Sequence, residues 1–224
     1  MKTVRKHLEQ RQADFKQHQF FSTLSVINSW DELTSFAQRL SFWVMSFQDV
    51  LKLNTMQITH PKLYQIARCH LIEDSGHEEW FLSDIQKIVG EQLSLRSMYS
   101  QEHAPTRYAS YRLISEVFRA CNDFERITLL LTLESTAEVF LNHMASFSER
   151  VGYSNLQYFS KHHLNAEESH ESFNSDMENW LDGIELTPEE EIGSVAVIER
   201  AYRAFTAMFD DYETTLKHQV KILT

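Results

Sequence analysis

Residues 61–89 have the sequence PKLYQIARCHLIEDSGHEEWFLSDIQKIV, and this stretch gives the clearest indication of the fold class. On a helical wheel its apolar side chains share one face, which predicts an amphipathic helix packed on a core. Four ionisable side chains lie in the middle of that apolar face: His70, Glu73, Asp74 and His77. Buried charges are costly unless they are paired or bind a metal ion, so this helix carries a candidate site.

Two further segments repeat this pattern. In the predicted helix over 124–148, Glu134 and Glu138 share a face with leucine and isoleucine side chains. In the predicted helix over 154–181, the spacing His-x3-Glu-x2-His places three potential ligands on one stripe: His163, Glu167 and His170. Each cluster alone has an ordinary structural explanation, such as a hydrogen-bonded core histidine or a buried ion pair. Together they indicate a helical core lined with Asp, Glu and His, which is how di-iron carboxylate proteins hold metal.

The rest of the chain is also predicted to be helical. Only 5 glycines and 3 prolines interrupt the 224 residues, which argues against an all-β or linker-rich chain. Between these breakers the apolar residues recur with a helical period. We expect an all-α protein of about seven helices, at roughly 3–20, 31–53, 60–89, 106–121, 124–148, 154–181 and 187–220. No repeat and no linker marks a boundary, so residues 1–224 are expected to form a single helical domain.

Composition argues against several classes of function. The chain has 21 basic and 32 acidic side chains and a formal net charge of −11, which disfavours nucleic acid as a partner. There is no apolar run long enough for a membrane span, and the first residues do not resemble a signal peptide. Cys69 and Cys121 form neither a disulfide framework nor a CxxC motif, so a cytoplasmic location is expected.

Three motifs in this order resemble the haem-oxygenase-like di-iron oxidases, a family of iron-containing redox enzymes. The first is the stretch HLIEDSGHEEW at 70–80, and the second is the isolated Glu134. The third is the set His163, Glu167 and His170. The intervals of 57 residues from His77 to the second motif and 29 residues from there to the third are similar to those of that family. A ferritin-like arrangement is a weaker match, because a fourth ligand-bearing helix is hard to nominate.

The resemblance implies a seven-helix bundle without haem and a site for two iron ions. The first carboxylate and the first histidine would come from one helix, a bridging glutamate from the next, and a His-acid-His set from a third. On this sequence the implied ligands are Asp74 or Glu73, His77, Glu134, His163, Glu167 and His170. Carboxylates and imidazoles together suit iron, with manganese as the alternative.

Two positions differ from the family's usual pattern. His70 stands where a carboxylate is common, and Glu167 stands where aspartate is common. His70 is expected either to bind metal itself or, like Glu138, to support the ligands through hydrogen bonds.

The family implies an enzyme, an iron-dependent oxidoreductase that uses O2 to oxidise a small carboxylate-bearing substrate, a fatty acid or an amino acid. The expected partners are this substrate, O2 and a second copy of the chain in a homodimer, since dimers are the commonest oligomers. Four arginines are candidates for holding the substrate's carboxylate: Arg68, Arg107, Arg112 and Arg119. Two alternatives stay open. One is a non-catalytic helical interaction protein with a degraded site, and the other is a metal-free enzyme of cofactor synthesis on the same fold, similar to pyrroloquinoline-quinone synthase or thiaminase II.

Overall fold

The structure of the protein, a computed structural model, describes residues 1–90, 93–153, 155–168 and 175–223, without the side chains of residues 167, 168, 175 and 219–223. Within these residues it contains eleven helices and no strand, which confirms the all-α prediction. The helices are α1 (Lys2–Lys16), α2 (Gln19–Val26), α3 (Thr34–Thr55), α4 (Pro61–Glu73), α5 (His77–Val89), α6 (Leu95–Met98), α7 (Ala104–Arg119), α8 (Asp123–Arg150), α9 (Lys161–Glu168), α10 (Ser175–Asp182) and α11 (Pro188–Leu223).

The helix expected over 60–89 is in fact two helices, α4 and α5. Gly76 has a φ of 99°, a left-handed conformation that glycine adopts most easily and that interrupts a helix. The aspartate and serine before it favour turns. The prediction of one continuous helix is therefore wrong. Asp74 lies just after the end of α4 and His77 is the first residue of α5, so the two do not lie on one helical stripe.

The helix expected to begin near 154 begins at Lys161 instead. Residues 155–160 form a loop, because the backbone N–H groups of Gln157 and Phe159 donate to the carboxylate of Asp84 on α5. The predicted segment over 3–20 is likewise divided, into α1 and α2.

The two longest helices begin at clear capping signals. Before α11, the Thr187 hydroxyl accepts from the Glu190 N–H at 3.3 Å while the Glu190 carboxylate accepts from the Thr187 N–H at 2.8 Å. This reciprocal arrangement is a capping box. Before α8, Oδ1 of Asn122 accepts from the Glu125 N–H at 3.0 Å. Both helices are long, with 28 residues in α8 and 36 in α11.

Helix α11 lies at the centre of the packing and contacts α1, α2, α3, α7 and α8. The core is unusually aromatic, and its largest fully buried side chains include Trp30, Phe36, Phe81, Phe147, Tyr202 and Tyr212. Helix α3 packs on α4 and α5, and α8 packs on α4 and α9. The three segments that carry predicted ligands are therefore brought together by α3 and α8. None of the described helices is both long enough and apolar enough to cross a bilayer.

Candidate metal centre

Three predicted ligands meet where α4, α5 and α9 come together. Oδ1 of Asp74 lies 2.9 Å from Nδ1 of His77, and that nitrogen lies 3.0 Å from Nε2 of His163. The three side chains offer donor atoms that all lie within 4.8 Å of one another, and all three residues are buried. The sequence separates the two histidines by 86 residues, so the fold creates this cluster.

The donor set and its spacing fit a metal ion. Two bonds of about 2.1 Å at right angles place their ligand atoms about 3 Å apart. The separations of 2.9 Å and 3.0 Å match this value as well as that of a hydrogen bond, so the spacing is compatible with three ligands of one ion. One carboxylate oxygen and two imidazole nitrogens form a donor set that iron and manganese accept.

Neighbouring side chains hold Asp74 and His77 in place. Gln48 on α3 donates from Nε2 to the backbone oxygen of Asp74 at 2.7 Å and to its Oδ2 at 2.8 Å. This leaves Oδ1 on the side of His77. The ring of Trp80 stacks on the His77 imidazole, with 4.3 Å between the ring centroids. Contacts of this kind fix the orientation of metal ligands.

A backbone carbonyl determines the tautomer of His163. Nδ1 of His163 lies 3.1 Å from the backbone oxygen of Tyr158. A carbonyl oxygen only accepts hydrogen bonds, so Nδ1 carries the hydrogen. Nε2, the atom that faces His77, is then the one that is able to bind metal.

A second pair of predicted residues lies at the same centre. Nε2 of His70 lies 2.9 Å from Oε1 of Glu134, and the His70 side chain is fully buried. Glu134 lines the same cavity as Asp74, His77 and His163. Glu134 therefore lines the cavity beside the cluster, with His70 placed to support it, but it is not one of the three clustered residues.

Between the two candidates for the first carboxylate, the geometry favours Asp74. Glu73 is half-buried on α4, where the Cys69 thiol donates to its Oε1 at 3.5 Å. The cluster contains Asp74 and leaves out Glu73.

Glu138 does not support the ligands as expected. It is exposed, and its Oε2 accepts a hydrogen bond of 2.7 Å from Gln12. Helix α1 packs on α8 where Glu138 lies. Glu138 therefore faces α1 and solvent rather than the cluster. The two remaining predicted ligands, the side chain of Glu167 and the whole of His170, lie outside the described residues.

A mainly apolar cavity lies beside the cluster. Its volume is about 70 Å³, which is room for a few water molecules. Helices α3, α8 and α11 form its walls with Trp43, Phe47, Phe140, Leu141, Phe205 and Phe209. Asp74, His77, Glu134 and His163 form its polar side, together with Gln48, Glu78 and Thr136. Its lining, apolar with a few polar groups, has the composition of a ligand site, and its volume takes only a small ligand.

The arginines considered as substrate anchors are not placed to serve that role. Arg107 is buried and donates to the backbone oxygens of Met98 and Ser100 at 2.7 Å and 2.6 Å. Among the described residues that line the cavity there is no arginine or lysine. The other three candidates are exposed at the surface: Arg68, Arg112 and Arg119.

Two residues that contact the ligands were missed from sequence. Gln48 is an uncharged residue on another helix, with no fixed spacing to any ligand, so the sequence contains no signal for it. Trp80 follows His77 by three residues, and neighbours at this spacing meet on a helix surface. That spacing could have identified Trp80 once the start of α5 was recognised.

Comparison with known proteins bears on the fold. No family's sequence profile matches the chain, and no curated protein is similar enough in sequence to match it. A solved structure of a CADD-like protein of unknown function from Nostoc punctiforme aligns with a TM-score of 0.71 at 15% identity, over 95% of this chain and 97% of that one. A second structure of that protein gives a TM-score of 0.70 at 12% identity, over 96% of each chain.

A domain of unknown function from Shewanella denitrificans, described as having a haem-oxygenase-like fold, aligns with a TM-score of 0.67 at 17% identity. The alignment covers 92% of this chain and 90% of that domain. At these identities the likeness establishes the architecture alone. The chain has a haem-oxygenase-like all-α fold, as the order of its motifs implied.

Proposed function

We propose that this protein is a non-haem di-iron oxidase or oxygenase that uses O2 to oxidise a small carboxylate-bearing substrate, such as a fatty acid or an amino acid. The observation that carries the proposal is the buried cluster of Asp74, His77 and His163 beside an apolar cavity. Bound ferrous iron would supply the electrons that reduce O2, with manganese as the alternative metal.

The proposed ligands divide between two ions. Asp74, His77 and His163 would hold one ion, because their donor atoms already have the spacing of neighbouring ligands. Glu134, which lines the same cavity, would supply a carboxylate to the second. The motif on α9 would complete the set with Glu167 and His170.

Hydrogen bonds within the chain orient these donor atoms. Gln48 holds Oδ2 of Asp74, so Oδ1 stays on the side of His77. The carbonyl of Tyr158 keeps a proton on Nδ1 of His163. Both contacts set which atom each ligand presents, and neither requires the metal to be present.

The cavity walls suit an apolar substrate body and exclude water from it. Trp43 packs edge-on against Phe47 and Phe205, with ring centroids 5.5 Å and 5.4 Å apart. With no cationic side chain among the described lining residues, the substrate's carboxylate would face the metal ions rather than an arginine.

The test is rapid mixing of the anaerobic, ferrous-loaded protein with O2, followed by stopped-flow absorption spectroscopy. The reaction is recorded alone and with a panel of fatty acids and amino acids. We expect a transient visible band whose formation or decay is faster with one member of the panel. His163→Ala, which lacks one ligand, is the matched control and should show no transient.

Two other outcomes would contradict this proposal and favour one of the alternatives. Slow autoxidation that is indifferent to every candidate substrate would favour a non-catalytic interaction protein. Protein that is active on a substrate without any bound metal would favour a metal-free enzyme on this fold.

A further inference from the structure

The buried carboxylate of Asp84 lies outside the proposed ligand set. Asp84 is on α5 and its side chain is completely buried. It follows His77 by seven residues, which is two helical turns, so both residues lie on the same face of α5. Phe81 lies between them on that face, with its ring 5.2 Å from the Tyr158 ring and 5.7 Å from the Phe159 ring, measured between centroids.

Asp84 fastens the loop of residues 155–160 to α5. Its carboxylate accepts from the Gln157 N–H at 3.0 Å and 2.9 Å and from the Phe159 N–H at 3.2 Å. Lys87, one turn further along α5, lies 3.2 Å from Oδ1 of Asp84 and donates to the backbone oxygen of Asn155 at 2.9 Å. We call the contacts of Asp84 and Lys87 with this loop the Asp84 clamp.

The clamped loop holds His163 in two ways. The backbone N–H of His163 donates to the backbone oxygen of Gln157 at 3.2 Å. The Nδ1–H of its ring donates to the backbone oxygen of Tyr158 at 3.1 Å. Both acceptors belong to the stretch whose N–H groups bind Asp84, so a shift of the loop would move the His163 ring.

Because His77 begins α5, the same helix carries one imidazole of the cluster and the clamp that holds the other. The distance of 3.0 Å between Nδ1 of His77 and Nε2 of His163 is therefore set by the position of the loop on α5. A helical start at 154, as the sequence suggested, would remove these contacts.

We propose that Asp84 is a positioning residue of the metal centre: it clamps the loop of residues 155–160 to α5, and so sets the spacing of His77 and His163 and keeps the proton of His163 on Nδ1. This role rests on the proposed function, because it concerns the ligands of the same site.

The test compares Asp84→Asn with the matched variant Asp123→Asn. Asp123 also ties a loop through its carboxylate: Oδ2 accepts from the Thr59 N–H at 3.0 Å, the Thr59 hydroxyl at 2.8 Å and the His60 N–H at 2.7 Å. That loop precedes α4 and does not contact the cluster. Both substitutions remove a loop-holding charge, so both should lower stability, but only one is expected to change the metal centre.

The first readout needs no metal. In ¹⁵N-labelled metal-free protein, the imidazole nitrogens of His163 are assigned with a His163→Gln variant and their tautomer is determined by NMR. We expect the hydrogen on Nδ1 in the wild type and in Asp123→Asn, and a mixture of tautomers in Asp84→Asn.

The second readout is cobalt(II) affinity, measured by absorption titration. Removal of a residue that orients ligands typically weakens metal binding by about 10–100-fold, and we expect a loss of this size in Asp84→Asn only. Lys87→Met removes the exposed half of the Asp84 clamp and should show the same changes to a smaller extent. This variant replaces Asp84→Asn in the test if Asp84→Asn does not fold.

These outcomes distinguish a failure of the positioning role of Asp84 from a failure of the proposed function. If Asp84→Asn keeps the tautomer of His163 and binds cobalt as Asp123→Asn does, Asp84 only caps a loop and the inference is overturned. The same holds if Lys87→Met is the only folded variant and is unchanged in both readouts. If the wild type binds no cobalt, the proposed function fails, while the NMR comparison still decides the role of Asp84.

Discussion

At the candidate metal centre, contacts with neighbouring residues fix the orientation of individual side chains. Residue types and spacing singled out His77 and His163 as candidate ligands and left Asp74 and Glu73 as alternatives, because buried acids and imidazoles on apolar faces are conspicuous. The partner of Asp74 was not predictable in the same way. Gln48 meets it only because α3 packs on α4, and no local pattern encodes that packing.

Replacement of Gln48 by leucine should weaken metal binding. Leucine is similar in size but donates no hydrogen bond to Asp74, so the carboxylate and the backbone oxygen of Asp74 each lose one contact. We expect cobalt(II) affinity to fall about tenfold while the circular dichroism spectrum is unchanged. Gln57→Leu is the matched control, since Gln57 donates to the backbone oxygen of Leu53 near the end of α3. Equal affinities in the two variants would show that Gln48 does not hold Asp74.

Alanine at His77 or at His163 should lower iron content without unfolding the protein. Either substitution removes a ligand and leaves a small polar space that water fills. The measurement is iron per chain after anaerobic loading, with circular dichroism as the check on folding. If both variants retain two irons per chain, the assignment of these histidines is wrong.

At the scale of helices, the interruptions rather than the helices create the site. Apolar residues recur without a pause across 61–89, so periodicity alone predicts one helix, although Asp74-Ser75-Gly76 is a turn-like sequence. The loop of residues 155–160 was harder to predict. Its backbone N–H groups donate hydrogen bonds to Asp84, about seventy residues earlier in the chain, instead of to carbonyl oxygens one helical turn away. The sequence therefore predicts which segments carry the candidate ligands, but the helix ends that orient these residues lie elsewhere than predicted.

Gly76→Ala tests the importance of the break between α4 and α5. A Cβ at this position would meet no atom within 4 Å, so the cost is that of a left-handed backbone, about 1–2 kcal/mol. We expect the free energy of unfolding, measured by urea denaturation, to fall by this amount. We also expect weaker cobalt binding, because a changed backbone at the start of α5 would reorient the His77 side chain.

Gly90→Ala is the control for that variant. Gly90 ends α5 with a φ of 75° and also has open space around it, so its loss of stability should be similar. Its cobalt affinity should equal that of the wild type. If the two variants bind cobalt equally well, the break does not set the position of His77.

At the scale of the whole molecule, the aromatic core surrounds several buried and half-buried titratable groups. Burial and the nearby Lys16 lower the pKa of His143 below its usual value of 6.5, and its ring stacks on Phe21 at 4.4 Å. Burial, together with Arg39, also lowers the pKa of His103. Burial raises the pKa of Tyr202 to about 12, outside the physiological range.

These histidines should make the bundle less stable in mild acid. Their pKa values are lower in the folded than in the unfolded chain, so the unfolded chain binds more protons as the pH falls below about 6.5, and stability decreases. His143→Phe keeps the stacking on Phe21 but removes one titrating group. Urea denaturation at pH 7.5 and pH 5.5 should show a smaller loss in this variant, and parallel losses would contradict the assignment.

The central claim, that this bundle is built to hold a pair of metal ions, is tested most directly by anaerobic titration with ferrous iron and metal counting. We expect two irons per chain in the wild type. We also expect a large loss in the variant that combines Asp74→Ala with His163→Ala, because it removes two of the three clustered donors. Absence of bound iron in the wild type, or equal iron in the double variant, would contradict it.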